Sequence, residues 1–302
     1  MKEFASNLDF PEGPVLAPDG SLLLVEIRAQ RLTRLCRDGT RGVVAHLGGG
    51  PNGAAIGPDG ACYVCNNGGF EWHIDDGLTR PGMQPADYSG GRIERVDLAT
   101  GKAAVLYDAS DRAALKGPND LVFDRHGGFY FTDLGKSRAR DMDRGAICYA
   151  KADGSSIREI VQPMITPNGI GLSPDGTRLY VAETQTGRLW AFELDGPGEI
   201  RKRGEWPYAG GTLVAGLSGL QLFDSLAVEA GGNICVATLL TGGITVFSPD
   251  GDVVDFVKVP GDPFVTNICF GGDDMRTAYI TGSGTGRVFE TRWSRPGLEL
   301  NA

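Results

Sequence analysis

Short apolar runs bounded by glycine, proline or aspartate recur along this chain, and no long stretch carries apolar residues at helical spacing. The clearest unit is 166–184, TPNGIGLSPDGTRLYVAET. A polar residue follows a proline, the apolar run 170–172 leads to Pro174-Asp175-Gly176, and a second apolar run returns over 179–182. Two β-rich runs joined by a turn containing proline and glycine predict a hairpin. The chain repeats that unit six times: PEGPVLAPDGSLLLVEI from Pro11, PNGAAIGPDGACYVCNN from Pro51, PNDLVFDRHGGFYFTD from Pro118, PNGIGLSPDGTRLYVAET from Pro167, FDSLAVEAGGNICVAT from Phe223 and TNICFGGDDMRTAYITGS from Thr266.

Each copy opens on a polar residue: Glu12, Asn52, Asn119, Asn168, Asp224 and Asn267, at separations of 40, 67, 49, 56 and 43 residues. A unit recurring at roughly 40–50 residues marks a propeller or another repeat array. Two further strand-like runs separate the copies, such as GRLWAFEL from Gly187 and the stretch to Trp206. The expectation is an all-β, six-bladed β-propeller with four-stranded blades, forming one domain over 1–302. The sixth blade shows three strands, and the closing SRPGLELNA has too much turn character for a fourth. Residues 2–7 should therefore pair with 287–293, protecting the outer edge and closing the ring.

Two connections exceed what the repeat needs. One is 68–90, after the second strand of blade two, and the other is 204–224, leading into blade five. Connections of such length without strands of their own are commonly functional.

Composition narrows the setting. Glycine (46) and proline (17) are abundant, as short strands and tight turns require, and no apolar run reaches membrane-spanning length. The start, MKEFASNLDF, lacks a signal-peptide core, so the cytoplasm is the expected compartment. A net charge of −9 argues against a nucleic-acid partner. The six cysteines read as buried thiols. Cys62 and Cys65 form a CxxC, but residues three apart on a strand face opposite ways.

Strand direction alternates within a blade, so all six inner strands begin at the same end of the ring. One Pro-Asn-Gly alone reads as a turn, whereas six polar openers in register converge on the channel mouth. Glu12, Asn119, Asn168 and Asp224 make an oxygen-only donor set, suited to one divalent cation: calcium first, with magnesium and manganese also open. The absence of histidine and cysteine argues against a zinc-type set without excluding zinc as the occupant.

FPEGP with Glu12, GPNDLVFD with Asn119, TPNGIGLSPDG with Asn168 and FDSLAVE with Asp224 resemble the regucalcin/gluconolactonase family of six-bladed propellers, over nearly the whole chain. The resemblance implies that Glu12, Asn168 and Asp224 bind one divalent metal, with Asn119 a fourth ligand or a substrate contact. It implies hydrolysis of a small-molecule lactone, often a sugar lactone, with Asp224 as ligand and catalytic base. Asp120 keeps the family's acidic residue, and Asp133 lies near a position that touches substrate in relatives. One departure stands out: the arginine that many sugar-lactone-binding members carry two residues before the asparagine is here Gly117, beside Lys116. Alternatives to the lactonase are a metal-dependent phosphotriester hydrolase and a calcium-binding or docking propeller without turnover. The segment 68–90 joins second to third strand and so returns to the metal end. Its Phe70, Trp72, His73 and Tyr88 suit the wall of a small-molecule pocket, with Trp72 and His73 as substrate contacts; the alternative is a loop that packs its aromatics on the neighbouring blade. His73 reads either as a second proton carrier or as a solvated loop histidine.

Overall fold

The second strand of each unit explains the architecture. In Leu22–Glu26, Leu23 and Val25 pack with Ala54, Cys62 and Val64 of the next unit, while Leu22 and Leu24 pack with Tyr279 and Val288 of the last. Both faces are buried, so the run is continuously apolar instead of alternating. The computed structural model describes residues 1–202 and 210–301, and these form no helix. Six antiparallel sheets each place four strands on the ring, and one of them adds a short fifth. Six apolar clusters lie between consecutive sheets, the last joining blade six to blade one. The structure is a six-bladed β-propeller.

The inner strands are Pro11–Leu16, Pro51–Ile56, Pro118–Phe123, Pro167–Leu172, Leu222–Val228 and Val265–Gly271. Each touches the next, and the sixth touches the first. Closure is as expected: Lys2–Ala5 pairs antiparallel with Arg287–Arg292, and Phe4 stacks edge-on against Tyr279 at 5.2 Å. Cys62 and Cys65 fall in different inter-blade clusters, and all six cysteines are free.

Two expectations need correction, and one segment takes an unforeseen path. The outer strand of blade four is Gly211–Gly216, within the stretch read as a connection, while Trp206 and the first part of 204–224 lie outside the described residues. Gly211–Gly216 carries Thr212, Leu213 and Val214, residues that favour a strand once a partner edge exists. The blade-two segment contains a hairpin of its own, Trp72–Asp75 with Leu78–Pro81. The C-terminal residues cross the far end of the channel: Leu298 N donates to Val228 O (2.8 Å) and Asn301 Nδ2 to Phe123 O (3.1 Å).

Candidate metal centre and active site

The polar openers are aimed at the axis by a repeated local device. In all six inner strands the pairing register with the second strand slips at or beside the opener, as in a β-bulge. A bulge bends the strand and re-aims a side chain. Three openers are followed by glycine because the next blade leaves no space. A Cβ on Gly13 would stand 2.6 Å from Asn52 O, on Gly53 2.5 Å from Asn119 O, and on Gly169 2.6 Å from Leu226 N. The Pro-Asn-Gly triplets are therefore strand residues in a crowded ring, not turns.

Glu12 is 2% exposed, and its Oε2 accepts hydrogen bonds from Gly13 N and from Asn267 Nδ2, the latter at 2.7 Å. Its Oε1 is buried without a hydrogen-bond partner, as is Asn119 Oδ1. Asn168 donates Nδ2 to Thr184 Oγ1 (3.0 Å), which leaves its Oδ1 beside Ser225 Oγ at 3.5 Å. Asp224 lies next to this group and keeps partial access to solvent. Burial first, then repulsion from Glu12, pushes its carboxyl well above the usual carboxylate range, and the hydrogen bond to Asn168 opposes the shift. Burial pushes Glu12 up to about 7, against its bonds to Asn267 and Gly13. Asp120 also rises to about 7, through burial and the charge of Glu12.

This arrangement fits a hard cation. Two buried oxygens lack donors, and the Glu12 and Asp224 carboxylates repel one another beside the Asn168 amide. Among the described residues no group of three or more His, Cys, Asp or Glu is placed to hold a metal. The candidate set instead takes two of its four donors from asparagine.

The remaining expected residues separate. Asp133 accepts from Lys116 N (2.8 Å), Gly117 N (2.6 Å) and Gly135 N (3.1 Å). It belongs to a second repeated set: Glu26, Asn66 and Glu183 end their second strands in the same way. Each accepts a backbone N–H from the segment entering the inner strand, from Asp9 (2.9 Å), Gly50 (2.8 Å) and Ile165 (2.9 Å). Those bonds give Asp133 a structural duty at the entry to its inner strand. Asp120 receives Leu121 N at 2.9 Å and lines the axial channel, a cavity of about 1110 Å³. This cavity reaches the turn at Pro18 and Gly20 at the far end, and none of the four candidate ligands lines it. Gly117 has no room for a side chain, since its Cβ would meet Gly135 O at 2.5 Å.

The blade-two insertion spans the metal end. Thr79 N donates to Gly284 O of blade six (2.8 Å), and Trp72 packs on Phe10 at 5.1 Å. On the other side Gln84 N donates to Ser137 O of blade three (2.9 Å), and Tyr88 Oη to Lys116 O (2.6 Å). Trp72 and Phe70 line a cleft of about 460 Å³ with Arg28, Gln30 and Asp87, and none of the four candidate ligands borders it. His73 is exposed on the hairpin, paired across it with Arg80. Sequence reasoning gave no role to Asn267, which stood in register with the ligands, or to Thr184 and Lys136, which carried no periodic signal.

Residues 10–284 match the family model described as SMP-30/Gluconolactonase/LRE-like region. The chain belongs to this family. The matched span holds Glu12, Asn119, Asn168 and Asp224 as well as the blade-two insertion. Within the family, the chain is similar to the gluconolactonase of Zymomonas mobilis, 28% identical over 94% of this chain and 79% of the relative. It is also similar to lactonase drp35 of Staphylococcus haemolyticus, 27% identical over 83% of this chain and 70% of the relative. Among solved structures it resembles a calcium-binding protein, regucalcin, from Agrobacterium tumefaciens, with TM-score 0.74 and 20% identity over 99% of this chain and 97% of that one. That last likeness speaks for the fold.

Proposed function

We propose that this protein is a metal-dependent lactonase. The observation that carries the reading is the pair of donorless buried oxygens, Glu12 Oε1 and Asn119 Oδ1, beside Asn168 and Asp224, in a chain whose relatives are named gluconolactonase and lactonase. Glu12, Asn119, Asn168 and Asp224 would hold one divalent cation, calcium before magnesium, manganese or zinc, in keeping with the calcium-binding regucalcin neighbour. When bound, such an ion supplies positive charge against the oxyanion that develops on a lactone carbonyl.

The chain's own residues do the rest. Asp224 keeps partial solvent access beside Glu12 and Asn168, which places it to take a proton from the attacking water. The water oxygen bonds to the carbonyl carbon, the ring C–O bond breaks, and Asp224 returns its proton to the departing alkoxide, giving a hydroxy acid. Asn267 fixes the Glu12 carboxylate, and Thr184 fixes which end of the Asn168 amide faces the mouth. Trp72, on the insertion, is the substrate-side wall we retain, whereas His73, exposed on the hairpin, is assigned only the outer rim. A sugar lactone heads the substrate list. Gly117, where relatives place an arginine, favours lactones that do not need a guanidinium contact.

A panel of sugar and aliphatic lactones, assayed with and without chelator, tests the reading. Turnover of at least one lactone that stops on chelation and returns with calcium is expected. Chelator-resistant turnover, hydrolysis of phosphotriesters alone, or calcium binding with no turnover would each replace it.

A further inference from the structure

Lys136 is 2% exposed, the only cation among the buried charged groups of the described residues, and the proposed chemistry leaves it unused. It sits in the blade-three connection, whose shape is held by Asp143 N donating to Lys136 O, by Lys136 N donating to Asp143 Oδ2 and by the Arg138 to Asp143 ion pair at 3.0 Å. Its Nζ donates to Gly69 O at 2.6 Å and to Asn67 Oδ1 at 3.0 Å, both at the first stem of the blade-two insertion. The same nitrogen stands 3.9 Å from the centre of the Phe70 ring and 5.6 Å from that of Tyr88, at the second stem. One side chain from blade three thus meets both stems of the segment that spans the mouth.

We propose that Lys136 is a positioning residue, a latch that holds the blade-two insertion over the metal end and so sets substrate affinity without touching substrate. The effect on turnover rests on the lactonase reading; the effect on the insertion does not.

Three physical points support a latch over a generic core residue. An apolar side chain at 136 would leave Gly69 O and Asn67 Oδ1 buried without this donor, which is the expensive way to lose a hydrogen bond. The ammonium has no carboxylate within ion-pair distance among the described residues, and an aromatic face takes that place. Burial pushes Lys136 down to about 7, opposed by the charges of Asp133 and Asp143. Either protonation state keeps the two N–H donors that the two acceptors need. Other ties of the insertion include the Thr79, Gln84 and Tyr88 hydrogen bonds, Arg138 Nη1 to Gln84 Oε1 (3.2 Å) and the Trp72 to Phe10 contact. Gly68 lets the stems close, since a Cβ there would lie 2.4 Å from the Tyr88 ring.

Hydrogen–deuterium exchange on the full-length protein, with calcium as the only added ligand, tests this for Lys136→Met and for the milder Phe70→Leu. Exchange over 70–88 should accelerate about tenfold in Lys136→Met and less in Phe70→Leu, while the inner strands at 118–123 and 167–172 stay protected. Calcium affinity should stay within about twofold, and on the best lactone KM should rise about tenfold with kcat nearly constant. Unchanged exchange over 70–88 in both variants overturns the latch. So does acceleration spread equally over the inner strands, or a fall in kcat at constant KM. If no lactone is turned over by the wild type, the lactonase reading fails and the exchange result still decides the latch. If Lys136→Met does not fold, Phe70→Leu decides it by the same exchange criterion.

Discussion

The inner ring and the blade-two insertion meet at the same end of the channel but are built by opposite means. The ring is six copies of one device, a bulged strand whose opening polar residue is crowded toward the axis by the next blade. The insertion occurs once, carries its own hairpin, and is tied to blade six through Thr79, to blade one through Trp72 and to blade three by several hydrogen bonds. Repetition yields a rigid cradle whose donors are fixed by packing on both sides. A single insertion yields a cover that can be altered without disturbing the ring. The difference predicts a division of labour: the ring holds the ion and the chemistry, and the insertion governs access.

The largest effect should come from the ring. Glu12→Ala or Asp224→Ala is expected to lower kcat/KM by on the order of 10³-fold or more, since each removes a charge that the cation and the developing oxyanion depend on. Circular dichroism should barely change, because the inter-blade clusters are untouched. Full activity in a metal-stripped Glu12→Ala protein would break the comparison at its root. Replacing 70–88 by a short Gly-Ser turn should raise KM by about tenfold or reorder substrate preference, with bound metal retained. If every kinetic constant survived that replacement, access would not belong to the insertion.

A pH series sharpens the ring's half. With its carboxyl at about 7 in the folded, metal-free state, Glu12 keeps a proton that the unfolded chain releases near 4.5. That stabilisation is complete below about 4.5 and lost as pH rises through 7, so metal-free protein should melt lower at pH 7.5 than at pH 5.5. Metal must displace the proton, so affinity should climb by several-fold between pH 6 and 8 and then level off. Titration calorimetry in buffers of different ionisation enthalpy reads this directly, and a pH-independent affinity would count against Glu12 as a ligand. The smallest effect on the site should follow loss of closure. Deleting the first eight residues removes the Phe4 to Tyr279 contact and opens the outer edge of blade six. The melting temperature should fall by several degrees, with aggregation, while calcium affinity of the remaining monomer stays unchanged. A truncated chain that melts like the full one would show that closure contributes nothing.

Much of this was legible beforehand because it depends on local chemistry. Apolar runs between glycine and proline specify strands, and six openers in register specify one polar mouth. The structural duty of Asp133 was not legible, since a carboxylate at a strand end looks the same whether or not it meets three backbone N–H groups. Its partners lie 16, 17 and 2 residues away. Only its likeness to Glu26, Asn66 and Glu183, each bonded to the segment that enters its inner strand, reveals the structural duty. The outer strand Gly211–Gly216 was hidden for a related reason: an edge strand is defined by the neighbour it pairs with.

By itself, then, the amino-acid sequence determined the propeller, its closure, and which residues face the axis, because alternation, bulge and crowding are set within each unit and its nearest neighbour. Tertiary structure alone decided which oxygens at the mouth remain without a donor. Asn267 and Glu12 are 255 residues apart, yet one gives its amide to the other, leaving Glu12 Oε1 without a hydrogen bond. Tertiary structure likewise placed Lys136, 69 residues after Asn67, between the two stems of the insertion. Such pairings depend on where the ring's curvature brings side chains within about 3 Å, a distance that no periodicity along the chain encodes.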